Sequence, residues 1–216
     1  SLLLEQAEKN GARVVREKVT LEAVGEEVRV RLGGEVQAFD AVVLSSGAWV
    51  KELLEPLGYY VDVRPQKGQL IELTLETTED TSKWPVCMLH GEIDILPFPD
   101  GKILVGATHE NTQGFDLVPD EELLNGMYEE ACASLPSLKN AKRSGVRVGT
   151  RAYTSDFLPF FGEVPNTTNA FVASGLGSSG LTSGVWIGEC LARMAAGEEV
   201  GFSVEKYTPQ NYVRKV

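Results

Sequence analysis

Residues 175–180 read Gly175-Leu176-Gly177-Ser178-Ser179-Gly180, a G-x-G-x-x-G spacing. Glycines so placed, on a turn that leaves a strand and opens a helix, let backbone N–H groups approach the oxygens of a nucleotide or a flat cofactor. Ala170, Phe171, Val172 and Ala173 make an apolar strand-like run before the turn, and Leu181 to Ala196 a helical run after it. A complete dinucleotide unit also needs a second strand, with an acid about 20 residues on to hold the ribose. Residues 181–216 offer one helix, then Gly197, Glu198, Glu199 and a polar tail with Pro209, and no Val/Ile-rich strand. The motif has the chemistry of a cofactor turn without the rest of a Rossmann site, which argues against a self-sufficient NAD-binding protein.

Arg151 is the second chemical candidate. On a strand, Arg147, Gly149 and Arg151 share one face and Val146, Val148 and Thr150 the other. An arginine at the end of such a strand, beside a cofactor turn, suits bidentate capture of a carboxylate; a surface pairing with an acid is the competing reading. Asp156 reads as a turn former bonding local backbone. Gly180, Gly184 and Gly188 recur every four residues on one helix face, which can then lie against a flat ligand or simply against a sheet. The N–H groups of 178–182 make that helix end electropositive. The two histidines, His90 and His109, read as polar loop residues. No G-x-S-x-G nucleophile turn and no metal-ligand spacing occurs.

These residues must be positioned by a mixed set of elements. Leu2 to Asn10 is helical, stopped at Gly11, and Ala12 to Val15 is a short strand. Val28–Leu32 and Val36–Phe39 flank the Gly33-Gly34 hairpin turn. Ala41 to Leu44 is all apolar, predicting a strand buried on both faces, and leads through Ser45-Ser46-Gly47 into a helix, Ala48 to Leu57. The middle third reads as an antiparallel sheet: Gly68–Leu75, Ile93–Phe98, Ile103–Ala107 and Arg143–Tyr153, with one helix over Asp120–Ser134. The fold class is therefore α+β grading into α/β, an antiparallel sheet with a helix flanked by strand–turn–helix pieces. A net charge of −11 and no Lys/Arg-rich stretch argue against nucleic acid and anionic membranes as partners. No apolar run approaches a bilayer span. Three widely spaced cysteines read as reduced thiols, and a cytoplasmic location is expected.

Three segments resemble, in order, the D-amino-acid oxidase-like (DAO) family of FAD-dependent oxidoreductases, which includes glycine oxidase, sarcosine oxidase and D-amino-acid dehydrogenase. They are Phe39-Asp40-Ala41-Val42-Val43-Leu44-Ser45-Ser46-Gly47-Ala48-Trp49 with Arg64-Pro65-Gln66-Lys67-Gly68-Gln69; Gly149-Thr150-Arg151 with Asp156, Pro159 and Gly162; and Phe171-Val172-Ala173-Ser174-Gly175 through Gly180-Leu181-Thr182. The resemblance implies that Gly175, Gly177, Ser178, Ser179, Gly180, Leu181 and Thr182 wrap the flavin ring. It places Arg151 on the substrate carboxylate, Val19 near the adenine, and Ser45, Ser46 and Gly47 on another cofactor-side turn. It also divides the chain into part of the flavin domain (residues 1–63), a substrate domain (64–150) and the C-terminal part of the flavin domain (151–216). Departures are Ala152 where the family has Pro, Leu176 where members often have His, no tyrosine near Asp94 and no arginine near Ser178. A particular amino-acid specificity therefore does not follow.

The family's N-terminal half of the flavin domain, with its own glycine motif, has no counterpart in these residues. The expectation is an FAD-dependent oxidation of the C–N bond of an amino acid or amine, with hydride passing to the flavin. The chain alone should be inactive and hold FAD weakly. The alternative is a non-catalytic partner subunit whose flavin half lies on another chain. Substrate, electron acceptor and self-association are left open.

Overall fold

Turns rich in glycine, proline and asparagine cut this sequence into short elements, and the longest strands carry the site. The computed structural model describes residues 2–89, 91 and 93–216; the reading of His90 falls outside them. Helix α1 (Leu2–Lys9) is followed by β1 (Thr20–Val24), β2 (Glu27–Leu32) and β3 (Glu35–Gln37), an antiparallel meander. Then come β4 (Val42–Leu44), α2 (Val50–Leu54) and β5 (Tyr59–Val61). Next are β6 (Arg64–Thr74), β7 (Cys87–Met88), β8 (Asp94–Pro97), β9 (Lys102–Gly106), α3 (Glu121–Ser134) and β10 (Lys142–Tyr153). The chain closes with β11 (Phe160–Glu163), β12 (Ala170–Ser174), α4 (Gly180–Ala195) and β13 (Val213–Lys215).

The middle elements form one five-stranded sheet in the order β10-β6-β9-β8-β7, antiparallel throughout. Its period-2 pattern turns Ile71, Leu73, Ile95, Ile103 and Val105 onto one face, where they pack with Leu124, Met127, Ala131 and Cys132 of α3. Asp120 caps α3 by accepting from the Glu122 and Leu123 amides at 3.0 and 3.1 Å. A second sheet, β11-β12-β4, sits between two further cores, and its β12 and β4 are parallel. Ala170 and Val172 of β12 face a core shared with the meander and α2, while Phe171 and Ala173 face α4. Buried Asn169 ties the meander to this sheet: its amide donates to the Val28 and Phe39 carbonyls and its Oδ1 accepts from the Val28 amide.

Three expectations are corrected. Residues 12–15 form no strand, because nothing pairs with them. The β4 run is not buried on both faces: β4 is the edge of its sheet and Val43 is 44% exposed. The tail does contain a strand, β13, but it is antiparallel to β5 in a separate two-stranded sheet, so it supplies no second half to a Rossmann unit. The sequence also left β1, β5, β7 and β11 unassigned; these are two- to five-residue segments too short to show a pattern, and β5 finds its partner, β13, only at the far end of the chain. Among the described residues no helix is long and apolar enough to cross a membrane, and no three His, Cys, Asp or Glu side chains gather as metal ligands. Cys132 and Cys190 are buried and Cys87 half-buried, all unbridged.

The block after β10 is held by hydrogen bonds. Asp156 Oδ1 accepts from the Thr154 hydroxyl at 2.9 Å and the Leu158 amide at 3.1 Å, the turn-forming role its type suggested. Its Oδ2 accepts from the hydroxyl of buried Tyr212 at 2.9 Å. Burial, then the hydrogen bond and charge of Asp156, push the Tyr212 phenol up to about 12. The folded value lies above the ordinary one near 10, so this stabilisation is complete below pH 10 and is lost as pH rises from about 10 to about 12. Tyr212→Phe should therefore remove on the order of 2 kcal/mol of alkaline destabilisation. Denaturant unfolding at pH 8 and pH 11.5 measures it; equal pH slopes for the two proteins would discard this account.

Candidate active site

Parallel β4 and β12 end side by side, and the chain turns away from each: Ser45 to Gly47 after β4, Gly175 to Gly177 after β12. A crevice outside the carboxyl ends of parallel strands is where open α/β sheets bind ligands. Here it is a cleft of about 350 Å³ whose walls include Ser45, Gly47, Thr150, Arg151, Gly175, Gly177, Gly184 and Gly188. Seven of these eight, all but Thr150, were singled out from sequence and thus meet in one place, although they come from separated segments.

The glycines have distinct tasks. Gly175 has φ +74°, and a Cβ there would stand 2.8 Å from Thr154 Cγ2 and 3.0 Å from the Leu158 carbonyl. It is required for the close approach of the turn to the block after β10. Gly188 is the opposite case: nothing lies within 4 Å of where its Cβ would project. Gly184 has only Leu176 Cδ2, at 3.7 Å. The helix face lining the cleft is bare, as a flat ligand would need. No side chain caps the N-terminus of α4, so its first N–H groups keep their capacity for an acceptor oxygen. The side-chain hydroxyls of Thr150 and Ser46 are buried with no hydrogen-bond partner among the described residues. Buried hydroxyls are normally satisfied; that of Thr150, in the cleft wall, fits a polar-edged planar group there, while Ser46 lies between the wall residues Ser45 and Gly47.

Other predicted residues lie at the margins. Ser178 and Leu181 are exposed, and Leu181 is 98% so. Ser179 donates its hydroxyl to the Leu176 carbonyl, and Thr182 donates to that of Ser179. These side chains shape the turn, leaving backbone as the feature the cleft sees. Val19 precedes β1 and is not part of the cleft wall.

Arg151 reaches the cleft from β10. Opposite it in register is Gln66, and Gly68 lies opposite Gly149. The guanidinium lies over Gly68: a Cβ there would come within 2.3 Å of Nη1 and 2.7 Å of Cζ. Nη1 donates to the Thr108 carbonyl at 2.9 Å. Thr108 belongs to a bulge. Leu70 pairs with Gly106 and Lys67 with Glu110, so Gly68 and Gln69 face the three residues Ala107, Thr108 and His109. His109 sits in this exposed loop, as its sequence context indicated, and borders a second hollow with Gln66, Asp94 and Asn111. Gly68→Ala should therefore push the guanidinium aside with little loss of fold. A crystal structure of the variant with an unmoved Arg151 would contradict the packing described.

A larger groove of about 560 Å³ lies at the far end of the same sheet, lined by Glu72, Phe98, Lys102 and Arg147 among others. Glu72 and Arg147 pair with each other there. It has no bare glycine floor and no turn from parallel strands.

The site thus joins an antiparallel sheet, a cleft at the ends of parallel strands and an arginine in the cleft wall. The chain belongs to the FAD-dependent oxidoreductase (DAO) family, whose model matches residues 1–194. It is 38% identical over 211 residues to the uncharacterized oxidoreductase YurR of Bacillus subtilis, covering 96% of this chain and 56% of that protein. It is 31% identical over 176 residues to glycine oxidase of Pseudomonas aeruginosa, covering 82% of this chain and 47% of the relative. The crystal structure of iminodiacetate oxidase (IdaA) from Chelativorans sp. BNC1 superposes with a TM-score of 0.91 at 32% identity, covering 96% of this chain and 56% of that one. The chain spans about half the length of the relatives it matches.

Of the residues that matter here, sequence reasoning passed over Thr108, and named Thr150, Lys67 and Gln69 within the resembling segments without giving them a role. The signal for the last two was visible: polar residues at alternate positions, Lys67 and Gln69, lead directly into the apolar row Ile71 and Leu73 on the same face.

Proposed function

We propose that this chain supplies the ring-side wall of an FAD site and the roof of the substrate site, in an enzyme that oxidises the C–N bond of a small amino acid or amino diacid. The observation that carries the reading is that Arg151 and the bare glycine face of α4 line one cleft. In it, Gly175–Gly177, the α4 N-terminus, Ser46 and Thr150 would hold the flavin. The chemistry that FAD supplies when bound is acceptance of a hydride from the substrate's α-carbon.

Arg151 binds the carboxylate through its planar guanidinium fork, which fixes the substrate's orientation. The strand pairing of β10 with β6 holds the arginine's backbone, and Gly68 leaves room for its head. The sheet above excludes water from the α-carbon. Asp156 is occupied in its turn and takes no proton from substrate. An amine that enters neutral needs no protein base. Glycine oxidase and iminodiacetate oxidase, named for carboxylate-bearing amines, support this class. The half-length match supports a site completed by residues outside these 216, and the FAD pyrophosphate is assigned to them. The complete FAD-loaded protein should be screened with glycine, sarcosine, iminodiacetate and carboxylate-free amines such as methylamine and benzylamine, following bleaching of flavin absorbance. Bleaching by an amino acid supports the reading, and bleaching only by amines without a carboxylate overturns it.

A further inference from the structure

The segment Gln66-Lys67-Gly68-Gln69 carries three buried polar side chains in four positions: Gln66, Lys67 (2% exposed) and Gln69 (fully buried). A buried lysine in a strand is costly unless it is fully partnered. Lys67 Nζ donates to the Val118 carbonyl and to Asp116 Oδ2, the latter at 3.1 Å, with Glu110 Oε2 at 4.0 Å. Its backbone exchanges two hydrogen bonds with Glu110, at 3.0 and 2.9 Å. The Val118 amide, then Lys67, hold the Asp116 carboxyl below its ordinary range. Gln69 is spent likewise. Its Nε2 donates to Glu110 Oε1 at 2.7 Å and its Oε1 accepts from the Asp120 amide at 2.8 Å. Its backbone amide donates to the Thr108 hydroxyl oxygen at 2.9 Å, and that hydroxyl donates to Glu110 Oε1 at 2.6 Å.

Every one of these bonds ends on the segment 108–120, an otherwise exposed loop whose far end touches the remainder of the chain through Phe115 against Trp49, with ring centres 4.8 Å apart. The product of the network is a fixed bulge, and the outward carbonyl of that bulge, on Thr108, is the acceptor for Arg151. We propose that Lys67 is a positioning residue for Arg151: it closes the bulge from beneath the sheet, so that Thr108 holds the guanidinium in its carboxylate-binding orientation. Asp116 is its charge partner in this task. The inference rests on Arg151 being the carboxylate ligand.

The test uses the complete FAD-loaded protein and two readouts, KM against kcat for its amino-acid substrate and titration with glycolate followed by flavin absorbance. Lys67→Met should raise KM and the glycolate Kd together, on the order of 10–100-fold, with a much smaller change in kcat, since displacement of a positioning group by about 1 Å has effects of this size. Asp116→Asn, at a half-exposed site that the fold tolerates, should move both in the same direction by less. Combined with Arg151→Ala, neither substitution should add further to KM, because coupled residues are non-additive. If Arg151→Ala alone leaves KM unchanged, the carboxylate reading fails. If Arg151→Ala raises KM but Asp116→Asn and Lys67→Met do not, or if their effects add fully to it, the positioning role fails while the carboxylate reading stands.

Discussion

Arg151→Ala in the complete flavoprotein is expected to raise KM for a carboxylate-bearing amine roughly 100- to 1000-fold. Truncating one partner of a hydrogen-bonded charge pair in a partly buried site costs about 3–4 kcal/mol, and each 1.4 kcal/mol is tenfold. The effect belongs in KM because the carboxylate is held equally before and during hydride transfer. Arg151→Lys keeps the charge and loses the fork, so its KM should fall between those of the parent and the alanine variant. An amine with no carboxylate is the internal control and should not distinguish the three proteins. Steady-state kinetics decide the matter: an unchanged KM in Arg151→Ala removes this residue from substrate binding, and an equal loss on both kinds of amine assigns it to structure.

The second large effect is at Gly188, where stability and cofactor binding should move in opposite directions. Glycine within a helix costs roughly 0.5–1 kcal/mol relative to alanine. The space beside it is open, so Gly188→Ala should raise the melting temperature by about 2–4 °C. The added methyl points toward the cleft, however, and Gly188→Leu should fill it. Filling of this kind forfeits about 1–3 kcal/mol, which weakens FAD on the order of 10- to 100-fold. Equilibrium dialysis of FAD, run alongside thermal melts, separates the two. A leucine variant that retains FAD with parental affinity would place the flavin elsewhere.

Much of this arrangement is legible in the sequence where the signal is local. The Gly33-Gly34 hairpin, the helix beginning near Asp120 and the strand over Arg143–Tyr153 are each set by neighbours a few residues apart, and each appears where expected. The glycine motif and Arg151 were legible as chemistry, and register brings them together: β12 beside β4, and β10 along β6, are pairings between segments far apart in the chain, from Lys142–Thr74 to Ala170–Val42. What escaped was decided by context. Whether Val43 is covered depends on what lies beyond β4, and its own apolar character does not say. Residues 12–15 have strand-like types and no partner. Lys67 looks like a surface residue until the loop that neutralises it is placed beneath the sheet, and Thr108 matters through its carbonyl, which no side-chain pattern reveals.

Strand β10 pairs with β6 without interruption from Lys142–Thr74 to Tyr153–Arg64 apart from one irregularity near Arg143. At one end Val146 packs in the α3 core, and at the other Ala152 packs in the core beneath the meander. At about 3.3 Å per residue the twelve residues make a two-ply girder roughly 40 Å long. A girder rooted in two cores has no long break in pairing between them at which the sheet could hinge. On the function proposed above, substrate would pass at its flanks, by the Thr108 carbonyl that holds the arginine and by the 154–158 turn that follows β10. Entry and exit rates would then be properties of those two segments, and altering the first would also disturb Arg151, which it holds through the Thr108 carbonyl.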